Sequence, residues 1–490
     1  MYRTAAQIDS AISILSSWFP QYFTRITLPN ASVQGRPIYA LRMRAGGGAE
    51  RRGVLLVGGT HARELMNPDA IIDMAIDLLL AHANGTDLVY GGKRFTATEV
   101  KLILEALDLW LLPCLNPDGR IHVMTVDDMW RKNRRDNPGT PCDGVDPNRN
   151  YDFVWGVTEG QTSCSPCSEV FCGPSAFSEP ETRNVKALMD EHQICCMADV
   201  HSFSELILYP WGHAPTQTVD PSKRFTNLPS GTCAPINPRG YAEYMPPRDL
   251  QRFQTVGQRI VANVQAVRGR LYSNEPSIGL YPTTGTTSDY AYSRHIRDTR
   301  LRKTYGYTFE TGPSTGDARE SFHPADPTEI KKDAKAAMLT LALQCICAIE
   351  LIGWRFLQRE REVTALRTVR DELLSTTDAG RSWIALFERT QHRLLELVLA
   401  DDRLRERTVQ LVERAGALAE SEDVRLPEED AADARRLMHE LMERSTDPEL
   451  HDDLQQAAAV LGRLAGRPMR EAVELLMREG PERPRGDRQA

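Results

Sequence analysis

The chain has 490 residues, 26% of them charged and 41% hydrophobic, with a net charge of −8. That length leaves room for two or three domains, the composition is that of an ordinary globular protein, and no basic surplus argues for nucleic acid. The acidic excess is too small to imply a cationic partner.

In chain order, the N-terminus, Met1-Tyr2-Arg3-Thr4, opens straight into an amphipathic segment. It lacks the apolar core of a secretory signal, which leaves two readings, a cytosolic protein or a chain that begins after processing. Up to about residue 350, short apolar strand patterns alternate with helical ones. Strands are expected at residues 54–57, 109–112, 196–200, 206–209 and 305–309. Helices are expected at 68–82, 97–107, 180–191, 250–267 and 327–352. Ser178, ahead of Glu179-Pro180-Glu181, reads as an N-cap with proline in the first turn. Such alternation means an α/β fold, a mixed twisted sheet flanked by helices, with ligands expected outside the carboxyl ends of the strands. The apolar run from Ala336 to Trp354 is broken only by Gln344 and Glu350, and is read as a buried helix rather than a membrane span.

Beyond about residue 355, glycine and strand signals nearly vanish. Val363, Leu366, Val369 and Leu373 recur at helical spacing, as do Trp383, Phe387, Leu394 and Val398. Asp447-Pro448 opens one helix, and Pro468 opens another that stops near Gly480. We expect five or six amphipathic helices forming an all-α C-terminal region. The division is 1–354 for the α/β domain, 355–480 for the helical appendage and 481–490 for a disordered tail.

Chemistry concentrates after the first strand. His61-Ala62-Arg63-Glu64 follows Val54-Leu55-Leu56-Val57 and two glycines, and offers an imidazole and a carboxylate to one metal ion. Catalytic zinc commonly takes three protein ligands of the His/His/Glu type and keeps one position for water. His201, in Asp199-Val200-His201-Ser202 after another strand pattern, is the candidate third ligand.

Further islands follow in order: Asn116-Pro117-Asp118-Gly119, Trp130-Arg131-Lys132, Asp146-Pro147-Asn148-Arg149-Asn150, His201-Ser202 and Thr308-Phe309-Glu310-Thr311-Gly312. As a set, over about residues 5 to 350, this string resembles the zinc carboxypeptidases of the pancreatic carboxypeptidase A type. The resemblance implies one Zn2+ held by His61, Glu64 and His201, with Asp146 accepting a hydrogen bond from the first histidine. It implies Glu310 as general base and Arg131 as the group that stabilises the oxyanion. Asn148 and Arg149 would clamp the C-terminal carboxylate of a peptide, since guanidinium matches carboxylate in a bidentate fork. Arg63 would assist either task, and Tyr281 would close over the substrate.

Ser288 falls where family members that cut basic residues place an acid. A neutral, apolar or aromatic C-terminal residue is therefore expected, unless Glu205 or Glu275 reaches the pocket. Phe203 departs from the family's tyrosine. The expected partners are peptide or protein C-termini, with neither nucleic acid nor a membrane span. The C-terminal helices are the expected surface for a protein partner or self-association. Two other readings stand beside this one. The same fold also hosts hydrolases of peptidoglycan stem peptides and of small N-acyl amino acids, and a scaffold protein could keep the domain without its activity.

Cys142 and Cys167 fall where the pancreatic enzymes carry a disulfide, and Cys164 with Cys172 is the candidate second bridge. Cys164-Ser165-Pro166-Cys167 has no matching pair at zinc-finger spacing. Bridging points to an oxidising, extracellular setting, the missing signal to the cytoplasm, so the compartment stays open. Nor does the N-terminal stretch leave room for the inhibitory pro-segment of the pancreatic enzymes.

Overall fold

The computed structural model describes residues 2–346 apart from 49, 159 and 236–239, and residues 365–481 apart from 367, 421 and 422. The chain divides into two compact units, Met1–Cys345 and Ile346–Ala490. The boundary placed at 354, residue Val363 and most of the tail expected at 481–490 lie outside the described residues.

The first unit opens with α1 (Ala5–Trp18), started by a capping box in which Thr4 and Gln7 satisfy each other's backbone donors. Then follow β1 (Phe23–Thr27), β2 (Tyr39–Met43), β3 (Arg52–Gly58), α2 (Met66–Asn84), the small hairpin of β4 (Leu88–Tyr90) and β5 (Lys93–Phe95), α3 (Ala97–Ala106), β6 (Leu107–Leu112) and α4 (Pro117–Thr125). The second half carries α5 (Pro180–Glu191), β7 (Ile194–His201), β8 (Leu206–Tyr209), the short pair β9 (Thr216–Gln217) and β10 (Glu243–Tyr244), and α6 (Pro247–Arg268). It ends with β11 (Ser273–Pro276), α7 (Thr287–Arg297), β12 (Tyr305–Glu310), α8 (Ala318–Phe322) and α9 (Thr328–Cys345).

Eight strands form one sheet in the order β1-β2-β6-β3-β7-β12-β8-β11. β6, β3, β7 and β12 run parallel, and β2 and β8 join them antiparallel. Burial on both faces explains why the central strands read as continuous apolar runs: every residue of β6 and β7 is buried. α2, α6 and α9 pack together over the sheet. On β12 the alternation sorts the two faces. The Tyr307 hydroxyl donates to the Phe253 carbonyl of α6, whereas Gly306 faces α7. Among the described residues no helix is long and apolar enough to cross a membrane, and α9 supplies the described part of the run suspected at 336–354.

Two expectations are corrected. The N-cap of α5 is Glu179, without a side-chain cap bond; Ser178 instead donates its hydroxyl to Glu179 Oε1 at 2.6 Å. Cys164 pairs with Cys233, not with Cys172. Cys172 is a buried thiol 3.9 Å from Cys164 Sγ, whose valence is taken by Cys233, 69 residues on. The Cys142–Cys167 bridge is present, and a third, Cys196–Cys345, ties β7 to α9.

In the second unit, helices span Asp378–Ala400, Asp402–Ala419, Glu428–Arg444, Pro448–Leu464 and Met469–Arg478. Asp447 caps the fourth through its carboxylate, and Pro468 precedes the fifth. Val398, Leu404, Leu437, Leu441 and Leu450 form its core, with Leu394 packed against them. Val369–Leu373 is a π-helical turn that follows helical residues 365, 366 and 368 and runs into a 3-10 turn at Leu374–Thr376.

Gly306 lets α7 pack close against the sheet. A Cβ there would lie 2.6 Å from the Ser288 carbonyl oxygen and 3.0 Å from both Ser288 Cα and Ala291 Cβ. These are largely backbone atoms, so the helix itself would have to move. Gly306→Ala should destabilise the protein by about 1–3 kcal/mol, read as a lowered midpoint in denaturant; an unchanged midpoint would refute this packing.

Candidate active site

Three adjacent parallel strands at the centre of the sheet end side by side at their carboxyl ends. β3 delivers the loop that carries His61 and Glu64, β7 ends on His201, and β12 ends on Glu310, which pairs directly with His201 in the strand register. The glycines after β3 are required by space and backbone. A Cβ on Gly58 would stand 2.8 Å from Ile71 Cδ1, and Gly59 has φ +67°. Ala62 N donates to the Arg131 carbonyl, pinning this loop to the next.

Within the corner, His61 Nδ1 lies 2.7 Å from Glu64 Oε1 and 3.0 Å from His201 Nδ1, which is itself 2.9 Å from Glu64 Oε2. All three side chains are buried. Two imidazole nitrogens and a carboxylate facing one another this closely suit a shared cation. Ligands around a tetrahedral zinc at ordinary bond lengths sit roughly 3.3 Å apart. The far ring nitrogens point at carboxylates, His61 Nε2 at Asp146 Oδ1 (3.1 Å) and His201 Nε2 at Asp199 Oδ2 (3.1 Å). That is how ligating histidines are oriented. The donor set therefore fits zinc. Among the described residues the other metal-like cluster is Cys195, Cys196 and Cys345, where two of the three sulfurs are joined in a disulfide.

Asp146 is the hub between the metal corner and the cationic wall. Its Oδ1 faces His61, and its Oδ2 accepts from Arg131 Nε at 3.0 Å and Nη2 at 2.8 Å. Burial opposes its ionisation, but Arg131 and His61 hold the carboxyl well below its usual range. Burial likewise opposes ionisation of Glu64, which His61 and His201 keep below the ordinary value. Glu310 is the opposite case: burial raises its carboxyl despite the pull of His201, and Glu64 adds to the rise.

A cavity of about 280 Å³ opens beside these groups. His61, Glu64, Arg63, Arg131, Asn148, Arg149, Tyr281, Ser288 and Glu310 all line it. Asn148 Oδ1 accepts from the amide and hydroxyl of Thr287 at 2.9 and 3.1 Å. Arg149 is fixed by the carbonyls of Gln161 and Asn148 and lies against Tyr281. Tyr281 is 37% exposed and hydrogen-bonded to Arg149, whereas Ser288 is 1% exposed. Arg63 stacks over Phe322, 4.7 Å from its ring centre, and Phe322 meets Phe203 edge-on at 4.9 Å.

Neither Glu205 nor Glu275 lines the cavity; Glu205 is taken by Arg270 through two contacts of 2.6 Å. Asn116-Pro117-Asp118-Gly119 proves to be scaffolding. Asn116 caps α4, and Asp118 holds Ser32, Gln34 and Arg36. Sequence reasoning missed Asp199, which also accepts from Thr60 at 2.7 Å and Thr287 at 2.8 Å. Its signal was available, since a residue two before His201 on a strand shares its face. Phe322 left no such signal, because a loop and a short helix bring it back from residue 310.

The family model for zinc carboxypeptidases matches residues 8–340. Mouse carboxypeptidase A4 is 30% identical over 311 residues, 63% of this chain and 62% of its own length. Carboxypeptidase B of the crayfish Astacus astacus is 28% identical over 311 residues, 61% of this chain and 87% of its own. The chain thus spans less than two thirds of the mouse relative. Among solved structures, thrombin-activatable fibrinolysis inhibitor superposes with a TM-score of 0.56 at 21% identity, covering 71% of this chain and 75% of that one. Carboxypeptidase A from Helicoverpa armigera gives 0.50 at 24% identity, covering 70% and 74%; both likenesses speak to the fold. With more than half of its length matched by the family model, the chain belongs to the zinc carboxypeptidase family.

Proposed function

We propose that the protein is a zinc-dependent metallocarboxypeptidase that removes a neutral C-terminal residue from peptides or proteins. The observation that carries this is the convergence of His61, Glu64 and His201 beside Glu310, in a cavity whose wall also presents Arg131 and Arg149. Held by those three side chains, zinc supplies Lewis acidity toward the scissile carbonyl and makes water a stronger acid.

Everything else falls to the chain's own residues. Glu310 accepts a proton from the attacking water and passes it to the departing amine. Arg131 donates to the oxygen of the tetrahedral species, its charge kept in place by Asp146. Asn148 and Arg149 grip the terminal carboxylate, which an internal peptide bond lacks, so cleavage is confined to chain ends. Tyr281 folds over the bound residue, and Arg63 assists the oxyanion or the carboxylate from the same cavity wall. In this reading residues 1–354 are the catalytic domain and 355–480 a helical appendage that docks a partner or a second copy. Three disulfides among the described residues support an oxidising compartment.

Neutral specificity rests on Ser288 and on the acids lining the cavity being Glu64 and Glu310 alone, both beside His201. In a release assay on one peptide scaffold, Lys and Arg termini should leave more slowly than uncharged ones; the reverse order would refute this. Glu310→Gln should retain one zinc per chain while kcat falls about 10²–10⁴-fold. Normal turnover by that variant would remove Glu310 from its role. Asp146→Ala frees His61 to rotate and should weaken zinc binding about 10–100-fold. Competition with a chelator measures this, and wild-type affinity would count against the hub.

A further inference from the structure

The proposed carboxypeptidase reading leaves the C-terminal side chain of the substrate in the part of the cavity beyond Arg149, and the chemistry of that part is specific. Thr308 lies two residues before Glu310 on β12. The two side chains share a face, with Thr308 about 7 Å farther from the metal corner. It donates its hydroxyl to Ser288 Oγ at 3.2 Å. Ser277, also lining the cavity, donates to the Tyr209 carbonyl at 3.0 Å. Thr283 Oγ1 has no hydrogen-bond partner among the described residues, although its amide is bonded to the Gly212 carbonyl. Leu208 and Leu280 are the aliphatic side chains of this wall.

These bonds leave a defined set of open valences. Thr308 and Ser277 have spent their protons and can only accept. Ser288 accepts from Thr308 and keeps its own proton to donate. Thr283 can do both. None of them is charged. The nearby Asp289 carboxylate is fully buried and engaged by the Gly212 amide at 3.1 and 3.2 Å. An aliphatic or phenyl side chain entering here strips water from hydroxyls and gives nothing back, at the cost of burying unpaired polar groups. A primary carboxamide has two donor hydrogens and an acceptor oxygen, and answers both kinds of open site at once. Its methylene stem meets Leu208 and Leu280.

We infer that this pocket selects C-terminal asparagine or glutamine over aliphatic residues of the same size. The inference rests on the carboxypeptidase reading and narrows the neutral class stated there, replacing the apolar or aromatic preference that the absence of an acid at position 288 first suggests.

The test uses the full-length zinc-loaded protein and four N-blocked peptides that differ only in the last residue: Asn against its isostere Leu, and Gln against Met. The carboxamide of each pair should show kcat/KM about tenfold or more above its partner. Ser288→Ala, checked for an unchanged melting temperature, should shrink that ratio toward unity. Equal or faster release of Leu and Met overturns the pocket inference and leaves the carboxypeptidase reading standing. Release from none of the four overturns both.

Discussion

Two imidazole nitrogens 3.0 Å apart, with a carboxylate oxygen within 2.9 Å of each, form a contact that protons alone satisfy poorly. One hydrogen can sit between a pair of nitrogens, but it cannot also serve both carboxylate oxygens. A divalent cation serves all three groups together. The rest of the site is arranged around this constraint. Asp146 and Asp199 stand 3.1 Å from the outer nitrogens of the two rings, and the parallel pairing of β3 with β7 brings His61 and His201, 140 positions apart, to one corner.

The fold makes that meeting point by ending β7 on His201 and β12 on Glu310 beside the loop that follows β3. β7 is locked by its neighbours on both sides, and the Cys196–Cys345 bridge fastens it to α9. Its last residue therefore has little freedom in any direction. The cationic wall comes from long loops instead, and these are stitched by Cys142–Cys167 and Cys164–Cys233. His201 and Glu310 thus sit on strands, His61 and Glu64 on the short loop after β3, and Arg131, Asn148 and Arg149 on the cross-linked loops.

What could be read from the residues was what short-range pattern dictates. The central strands announced themselves as apolar runs because both faces are covered, and His61, Glu64, His201 and Glu310 each sit at the close of such a run. β11, by contrast, is Ser273-Asn274-Glu275-Pro276. It is an edge strand held by backbone pairing to β8, with a sequence no strand propensity would select. The partner of Cys164 depended on where a loop 69 residues later returns, which spacing does not encode. The hydroxyl lining of the cavity was equally hidden. Ser288 was marked by the resemblance, but Ser277, Thr283 and Thr308 look like ordinary loop and strand residues until β8, β12 and α7 are assembled. Asp199 is a different kind of omission: its position relative to His201 was legible, and only its depth in the sheet gives it a purpose.

One carboxylate joins the two halves of this centre. Because Asp146 gives one oxygen to His61 and the other to Arg131, metal retention and anion binding cannot drift independently over evolutionary time. A single codon change at this position would loosen both groups together, whereas changes at Ser288 or Thr308 leave both contacts in place.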